Sequence, residues 1–292
     1  MNGKSFQIAI LYNEDAQISR GDPQDLLAVQ DTAATTQHLF EALTSLGYPV
    51  SKLAVMGNLE QLEDILCSCP PKNTYIFNNC DGFNGNNLGA VDVIRLIERM
   101  GFKHTGALSD AIELCINKPR SKERLIQFGV PTPRFQVYKR AEGKFHLNFP
   151  VIIKPSVEDA SMGIDLDSVV SNRESLMHKI AYIVEKYEQP AIVEEFVCGR
   201  ELAVAMMGNE FIEILPIAEE DFSFVANPLE RLLTYDSKWK TDSPYYQNIP
   251  ARVPAVLTRK ESQSVKNAAE SSFKAMGLRD VGRVDIRFNE GI

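Results

Sequence analysis

Short apolar runs alternate with segments of helical periodicity through the first hundred residues. The apolar runs cover residues 7–11, 50–55 and 74–78, and the helical segments cover residues 26–46, 59–67 and 91–100. Strands that alternate with helices build parallel sheets with helices on both faces. We therefore expect a small parallel sheet here. Ligands bind such sheets at the carboxyl ends of the strands, where the Asn- and Gly-rich loop of residues 79–89 should lie.

The composition limits the class of protein. The chain has 292 residues, 44% apolar and 24% charged, with a net charge of −8. This profile is typical of a soluble globular protein of two or three domains, and the negative charge argues against nucleic acid as a main partner. No apolar run reaches membrane-spanning length, and the start lacks the apolar core of a signal peptide. We expect a cytoplasmic protein without a membrane partner, whose five cysteines are reduced thiols.

Residues 149–163, FPVIIKPSVEDASMG, form the most informative single stretch. They predict a short buried strand with Lys154 at its end, followed by a polar loop that closes on Gly163. A lysine beside a loop of small residues suits a polyphosphate, because the ammonium is a compact charge and the loop N–H groups can turn toward phosphate oxygens. The alternative is an exposed lysine after an edge strand.

From residue 109 onward the pattern changes to mixed strands and helices. Helices are predicted at residues 109–115, 117–128, 174–187 and 260–276, and strands at 135–139, 150–154, 191–197 and 281–288. Residues 201–217 predict an antiparallel hairpin that turns at Gly208-Asn209. Residues 221–254 are long and irregular, which is usual for functional or mobile segments.

Four pieces stand in a fixed order along this part of the chain. They are Lys118 in INKPRSK, Lys154 in VIIKPSVEDASMG, the acidic run VEEFVCGREL, and Arg283 with Asp285 in GRVDIRF. This order and spacing resemble the ATP-grasp superfamily and, more closely, its D-alanine–D-alanine ligase branch. The resemblance implies an α/β chain with an N-terminal parallel-sheet domain (1–108) that binds substrate, followed by an α+β ATP-grasp domain of two subdomains. These would be a central nucleotide lid (109–197) and a C-terminal subdomain (198–292).

The same resemblance implies an enzyme that ligates a carboxylate to an amine through an acyl phosphate. ATP and Mg²⁺ (or Mn²⁺) would be its cofactors, and small amino acids its substrates, as in peptidoglycan precursor synthesis. A homodimer is left open. The alternatives are a ligase for other amino acids or peptides, and a nucleotide-binding protein without turnover.

The resemblance also assigns roles to particular residues. Lys118 and Lys154 would contact the phosphates, and the loop around Ser161 and Met162 would cover them. The residues assigned to the adenine are Glu194, Glu195, Phe196 and Val197. Glu201 would take the ribose hydroxyls.

The remaining assignments concern the chemistry itself. Asp285 would bind Mg²⁺, which prefers oxygen ligands. Arg283 would stabilise the oxyanion formed when the amine attacks, and Lys238 would reach the transferred phosphate. Each has a simpler alternative: Glu194 and Glu195 as solvated edge charges, Lys238 as a surface lysine, and Arg283–Asp285 as a same-face ion pair.

Three departures from the ligase pattern bear on the substrate. Leu26 stands where the ligases carry a glutamate that holds the first substrate's amine, and neighbouring Asp25 could replace it only if the loop shifts. Ala160 and Trp239 replace a serine and a tyrosine of the closing network, which therefore looks absent. Asn79-Cys80 replaces a histidine-glycine pair. We expect weaker dependence on D-alanine and a different or bulkier partner.

The chain stops at Ile292, seven residues after Asp285. ATP-grasp enzymes follow this strand with a hairpin that carries a glutamate and an asparagine, the remaining magnesium ligands. We expect a fragment rather than a degenerate relative. The expected consequence is that the 292-residue chain has little or no catalytic activity but binds adenine nucleotide weakly.

Overall fold

The computed structural model describes residues 6–15, 17–56, 58–83 and 85–289. The chain forms two compact units, Met1–Glu113 and Leu114–Ile292. The further division of the second unit at residue 197 stays a prediction. Within the described ranges, no helix is both long enough and apolar enough for a membrane crossing.

The first unit is built on a parallel sheet. Its strands are β1 (Gln7–Asn13), β2 (Val50–Val55), β3 (Thr74–Asn79) and β4 (Lys103–His104), and its helices are α1 (Leu26–Ser45), α2 (Leu59–Cys67) and α3 (Gly89–Arg99), with α4 (Ser109–Ile116) at its end. The strand order is β2-β1-β3-β4 with parallel neighbours throughout, as the alternating pattern predicted. Apolar side chains of β1, α2 and α3 form its core, where Leu11, Leu66 and Ile97 are fully buried.

Polar groups close the carboxyl end of this sheet. The backbone N–H of Asp81 donates to Asn13 Oδ1 (3.2 Å), and the N–H of Gly85 donates to Asp15 Oδ1 (3.1 Å). The loop after β3 is therefore tied to the end of β1, at the edge where such sheets bind ligands.

The second unit contains two antiparallel sheets. Its elements are α5 (Lys118–Gln127), β5 (Phe135–Tyr138), β6 (Val151–Pro155), β7 (Val169–Val170), α6 (Arg173–Tyr187), β8 (Ala191–Glu195), β9 (Arg200–Gly208), β10 (Ile212–Ile214), β11 (Ala218–Glu220), α7 (Tyr235–Trp239), α8 (Pro244–Asn248), β12 (Ala251–Arg252), α9 (Arg259–Ala275) and β13 (Asp280–Phe288). One sheet has the order β5-β8-β6-β7, and the other has the order β10-β9-β11-β12 with β13 on the free side of β9.

The long β9–β13 ladder separates a core face from a polar face. Side chains alternate between the two faces of a strand. On one face Leu202, Val204 and Met206 are buried in a cluster that includes Phe273 of α9. The other face carries Glu201 on β9 and, across the ladder, Arg283, Asp285 and Arg287 on β13.

The structure differs from the sequence prediction in two places. The second arm of the predicted hairpin is broken into β10 and β11, although both pair with β9 on the same side. The irregular segment after residue 221 contains the five-residue helices α7 and α8, capped by the side chains of Thr234 and Ser243. One-turn helices of this kind lack the periodicity that reveals longer helices.

Candidate active site

A buried carboxylate pairs with the lysine at the end of β6. Lys154 Nζ lies 3.1 Å from Glu194 Oε2, because β6 and β8 are paired in the sheet. Lys122 of α5 lies 3.7 Å from the other oxygen, Oε1. Glu194 is only 7% exposed and β8 is an interior strand, so the alternative of a solvated edge charge is wrong for this residue.

Lys118 completes the lysine cluster, defined here as Lys118, Lys122 and Lys154. Helix α5 begins at Lys118 because Asn117 caps it, accepting from the N–H of Arg120 (3.1 Å). The Lys118 ammonium donates to the carbonyl oxygens of Pro155 (3.0 Å) and Glu158. Burial and, secondly, the charge of Lys154 lower the pKa of Lys118 to about 8.

All three ammonium groups of the cluster act on the Glu194 carboxylate. Burial alone would raise the pKa of the Glu194 carboxyl, but Lys154, Lys122 and Lys118 together lower it below its ordinary value. The ionised carboxylate is therefore the counterion of several ammonium groups. The side-chain hydroxyl of Ser156, next to the end of β6, is buried without a hydrogen-bond partner among the described residues. These features suit a polyanion, whose oxygens pair with ammonium groups and accept from a hydroxyl.

The loop that follows β6 holds an unusual backbone conformation. Ala160 and Ser161 have φ angles of 49° and 61°, the left-handed region that residues with a side chain rarely adopt. Met162 is buried, and the Ser161 hydroxyl donates to the carbonyl of Leu233 (2.9 Å). Strained conformations of this kind collect at ligand sites, where the surrounding structure maintains them.

A hydrogen bond joins Ala160 and Trp239, the two positions that depart from the closing network of the ligases. The indole N–H of Trp239 donates to the carbonyl oxygen of Ala160 (2.9 Å). This bond joins the two substituted positions through a backbone oxygen and therefore needs no serine hydroxyl.

The segment assigned to the adenine is held by its own neighbours. Glu195 Oε1 accepts from Arg134 (3.2 Å) and from the N–H of Asn148 (2.9 Å). The N–H of Phe196 donates to the carbonyl of Pro150 (2.9 Å). The carboxylates of Glu194 and Glu195 are therefore both engaged with protein groups, and their contact with a base stays a prediction.

Glu201 lies beside an arginine that the site assignment from sequence omitted. Arg287 Nη1 donates to Glu201 Oε2 (3.0 Å), and Arg287 Nε donates to the carbonyl of Val197 (3.1 Å). The only signal in the sequence is that Arg283, Asp285 and Arg287 alternate along GRVDIRF, which places them on one face of a strand. Alternation alone assigns no role to Arg287.

Arg283 and Asp285 form the same-face ion pair that was the simpler alternative. Nε lies 2.8 Å from Oδ1 and Nη2 lies 3.3 Å from Oδ2. The side chains are 62% and 55% exposed, and exposed pairs contribute at most about 1 kcal/mol. Either partner can therefore exchange the other for a ligand at little cost.

Lys238 is half-buried on α7 rather than freely exposed. Burial and the charge of Glu201 raise the pKa of Glu220 on β11, while Lys238 acts in the opposite direction. Lys238 therefore lies within electrostatic range of the polar sheet face, and its assigned role stays a prediction.

A metal ion would find few protein ligands here. The described residues contain no group of three or more His, Cys, Asp or Glu side chains placed to hold one. Mg²⁺ usually takes one or two carboxylates and completes its shell with phosphate oxygens and water. Asp285 therefore fits a metal that arrives with a nucleotide, and does not by itself form a dedicated metal site.

A parallel-sheet unit, a second unit of two antiparallel sheets and a lysine cluster at the end of a strand together define an ATP-grasp ligase fold. Residues 126–291 match the family model described as "D-ala D-ala ligase C-terminus". The chain belongs to the D-alanine–D-alanine ligase family of ATP-dependent ligases, so the resemblance and the fold class inferred from the sequence are confirmed.

Individual relatives agree with this assignment. The D-alanine–D-alanine ligase of Bartonella henselae is 30% identical over 258 residues, which cover 86% of this chain and 75% of that protein. An uncharacterised protein of Sinorhizobium fredii is 33% identical over 236 residues, 80% of this chain and 67% of the relative. The D-alanine–D-alanine ligase of Bacillus anthracis complexed with ATP has the same fold, with a TM-score of 0.68 at 16% identity, covering 98% of this chain and 83% of that one.

Proposed function

We propose that the protein joins two small amino acids in an ATP-dependent reaction, with D-alanine–D-alanine ligation as the nearest known reaction. The observation that carries the proposal is the lysine cluster around Glu194, which contains Lys118 and Lys154, the two residues that the resemblance assigns to the nucleotide phosphates. A cytoplasmic location, a contribution to peptidoglycan synthesis and a homodimeric state belong to the same proposal and are supported by family membership alone.

The reaction divides into two transfers. The carboxylate of the first amino acid attacks the γ-phosphorus of ATP, forming an acyl phosphate and releasing ADP. The amine of the second amino acid then attacks the acyl carbon, and inorganic phosphate leaves as the amide bond forms. Phosphoryl transfer needs positioning and charge neutralisation more than covalent help.

The chain supplies positive charge for both transfers. Lys118 and Lys154 would neutralise the phosphates from the end of β6, and Lys238 would approach the transferred group from α7. Arg283 would donate to the oxyanion of the second step, once its pair with Asp285 opens. Asp285 would hold Mg²⁺, whose charge would add to the neutralisation of the phosphates.

The substrate is proposed to differ from a pair of D-alanines. Asp25 could have replaced the missing amine-binding glutamate, but it is buried and its Oδ2 accepts the backbone N–H of Asp22 (3.0 Å). Leu26 begins α1 and offers no charge. A first substrate would therefore lose one ionic contact to its ammonium group, which favours an amino acid held by other means.

Phosphate release by the complete protein, measured with paired D- and L-amino acids and with dipeptides, tests the reaction and its substrate together. Release with a pair other than two D-alanines supports the full proposal. Strict dependence on D-alanine at ordinary efficiency contradicts the substrate part alone. Calorimetric ATP binding without release on any panel favours the alternative, a nucleotide-binding protein without turnover.

A further inference from the structure

Arg287 occupies a central place on the polar face of the second sheet. It lies directly opposite Glu201 in the β9–β13 ladder. Its side chain is 20% exposed, whereas Arg283, on the same face and the same strand, is 62% exposed. Because Arg287 is much less exposed than Arg283, we expect neighbouring protein groups to accept the hydrogen bonds of the Arg287 guanidinium.

The guanidinium joins three separate segments of the chain. Nε and Nη2 donate to the carbonyl oxygen of Val197 at 3.1 and 2.9 Å, and Nη1 donates to Glu201 Oε2 at 3.0 Å. Nη1 also donates to the carbonyl oxygen of Arg231 at 2.7 Å. The guanidinium carbon lies over the ring of Phe196, 4.9 Å from the ring centre, which is within cation–π distance.

This arrangement fixes Glu201 in one place. A guanidinium is planar and always charged, so its donors have set directions. The carboxylate accepts through Oε2, and its second oxygen, Oε1, can accept a further donor. A carboxylate oxygen accepts hydrogen bonds from hydroxyl groups more strongly than a neutral acceptor does.

We propose that Arg287 is a positioning residue that makes the nucleotide site selective for ribose. It holds Glu201 by one carboxylate oxygen and leaves the other to accept from a ribose hydroxyl. The same guanidinium holds the peptide of Val197, so the assigned adenine segment and ribose carboxylate keep one relative position. The inference rests on the proposed nucleotide function and adds to it a residue and a selectivity.

The test compares the binding of a non-hydrolysable ATP analogue with that of its 2′-deoxy and 3′-deoxy forms by titration calorimetry. A lost hydrogen bond to a charged group costs about tenfold or more in affinity. The native chain should therefore bind the ribose form about tenfold more tightly than at least one deoxy form. Arg287→Met should lower this ratio to about one, and Arg287→Lys should give an intermediate ratio.

Arg200→Met is the matched control. Arg200 sits on β9 with 28% side-chain exposure and pairs with Glu219 through Nε and Nη2 at 2.6 and 2.7 Å. Like Arg287 it also donates to a backbone carbonyl, that of Val256 (2.8 Å). Loss of Arg200 should leave the ribose-to-deoxyribose ratio unchanged, whatever it does to thermal stability.

The possible outcomes distinguish a failure of the proposed nucleotide function from a failure of the proposed role of Arg287. If the native chain binds none of the analogues, the proposed nucleotide function fails. If the native chain prefers the ribose analogue and Arg287→Met keeps the same preference, the role of Arg287 is refuted while the nucleotide function stands. The same conclusion follows if Arg200→Met loses the preference as fully as Arg287→Met does. If Arg287→Met does not fold, the ratio measured for Arg287→Lys decides, and a native ratio there refutes the role as well.

Discussion

The indole N–H of Trp239 donates to the carbonyl oxygen of Ala160, 2.9 Å away, and so joins helix α7 to the loop after β6. Two further hydrogen bonds run in parallel: the Ser161 hydroxyl donates to the carbonyl of Leu233, and the N–H of Tyr235 donates to the carbonyl of Ile164, each at 2.9 Å. The assigned phosphate loop is thus held by the segment that carries Lys238.

Trp239→Phe is expected to loosen this connection without removing the aromatic packing. A neutral hydrogen bond contributes about 1 kcal/mol, so ATP affinity should weaken about fivefold if the loop must be ordered to cover the phosphates. Calorimetric titration measures the effect. Tyr246→Phe, a change on an exposed aromatic of the same segment, is the control and should leave affinity unchanged. Equal affinities for Trp239→Phe and the native chain would show that this bond does not order the loop.

Glu194→Gln should destabilise the second unit strongly. The change leaves the ammonium groups of Lys154 and Lys122 without the carboxylate that pairs with them, and loss of one partner of a buried ion pair costs about 3–5 kcal/mol. Denaturant unfolding measures the loss. Glu195→Gln is the control on the same strand, because its ion pair with Arg134 is more exposed and should contribute about 1 kcal/mol or less.

The same carboxylate predicts a sensitivity to acid. Because the folded-state pKa of Glu194 is lowered, its contribution to stability is present above the ordinary carboxyl pKa of 4.5 and is lost as the pH falls through the folded value. The acid-dependent part of the unfolding free energy should therefore shrink in Glu194→Gln. An unchanged acid profile would mean that other carboxylates account for it.

Lys118 predicts an alkaline limit for nucleotide binding. Burial lowers its pKa to about 8, from 10.5 in an ordinary environment. Phosphate favours the protonated ammonium, so ATP affinity should fall as the pH rises through about 8, by up to about tenfold per pH unit. Titration calorimetry between pH 7 and pH 9 measures this slope, and Lys118→Met should flatten it.

The sign of the stability effect is opposite. Between about pH 8 and the ordinary value of 10.5 the unfolded chain holds a proton that the folded chain has lost. The unfolding free energy contributed by Lys118 therefore rises with pH in that window. If the ATP affinity of the native chain and that of Lys118→Met changed with pH in the same way, the phosphates would bind away from Lys118.

The sheet architecture could be predicted from the sequence because the sequence signals for strands and helices are local. The apolar runs of β1 and β6 and the Asn117 cap of α5 each follow from a few neighbouring residues, and the structure has all three. The order of Lys118, Lys154, Glu201 and Asp285 then indicated the family, since each position is weak alone.

The site geometry depended on pairings between distant residues. The bond from Trp239 to Ala160 spans 79 positions and ends on a backbone oxygen, which no residue pattern reveals. The contacts of Arg287 reach Val197 and Arg231, 90 and 56 positions away. Burial of Glu194 among lysines likewise depends on β8 lying inside the sheet, and charge composition alone gave no indication of it.

Two glycines with similar φ angles allow the effect of a steric clash to be distinguished from the effect of backbone strain. Gly163, at the end of the loop after β6, has a φ of +74°, and Gly129, after α5, has a φ of +68°. A Cβ on Gly163 would lie 2.7 Å from Pro155 Cγ and 3.0 Å from the Tyr187 ring, whereas a Cβ on Gly129 would meet nothing within 4 Å.

Alanine at either position would have to adopt a left-handed backbone conformation, which destabilises the protein by about 1–2 kcal/mol. Only Gly163→Ala adds an overlap with a proline ring and with Tyr187, a fully buried side chain, and overpacking of this kind costs about 1–3 kcal/mol more. Denaturant unfolding of both variants should therefore show a larger loss for Gly163→Ala, accompanied by weaker ATP binding because the loop must shift. Equal losses for the two variants would show that the loop accommodates the methyl group, and that its conformation is not fixed by packing against β6 and α6.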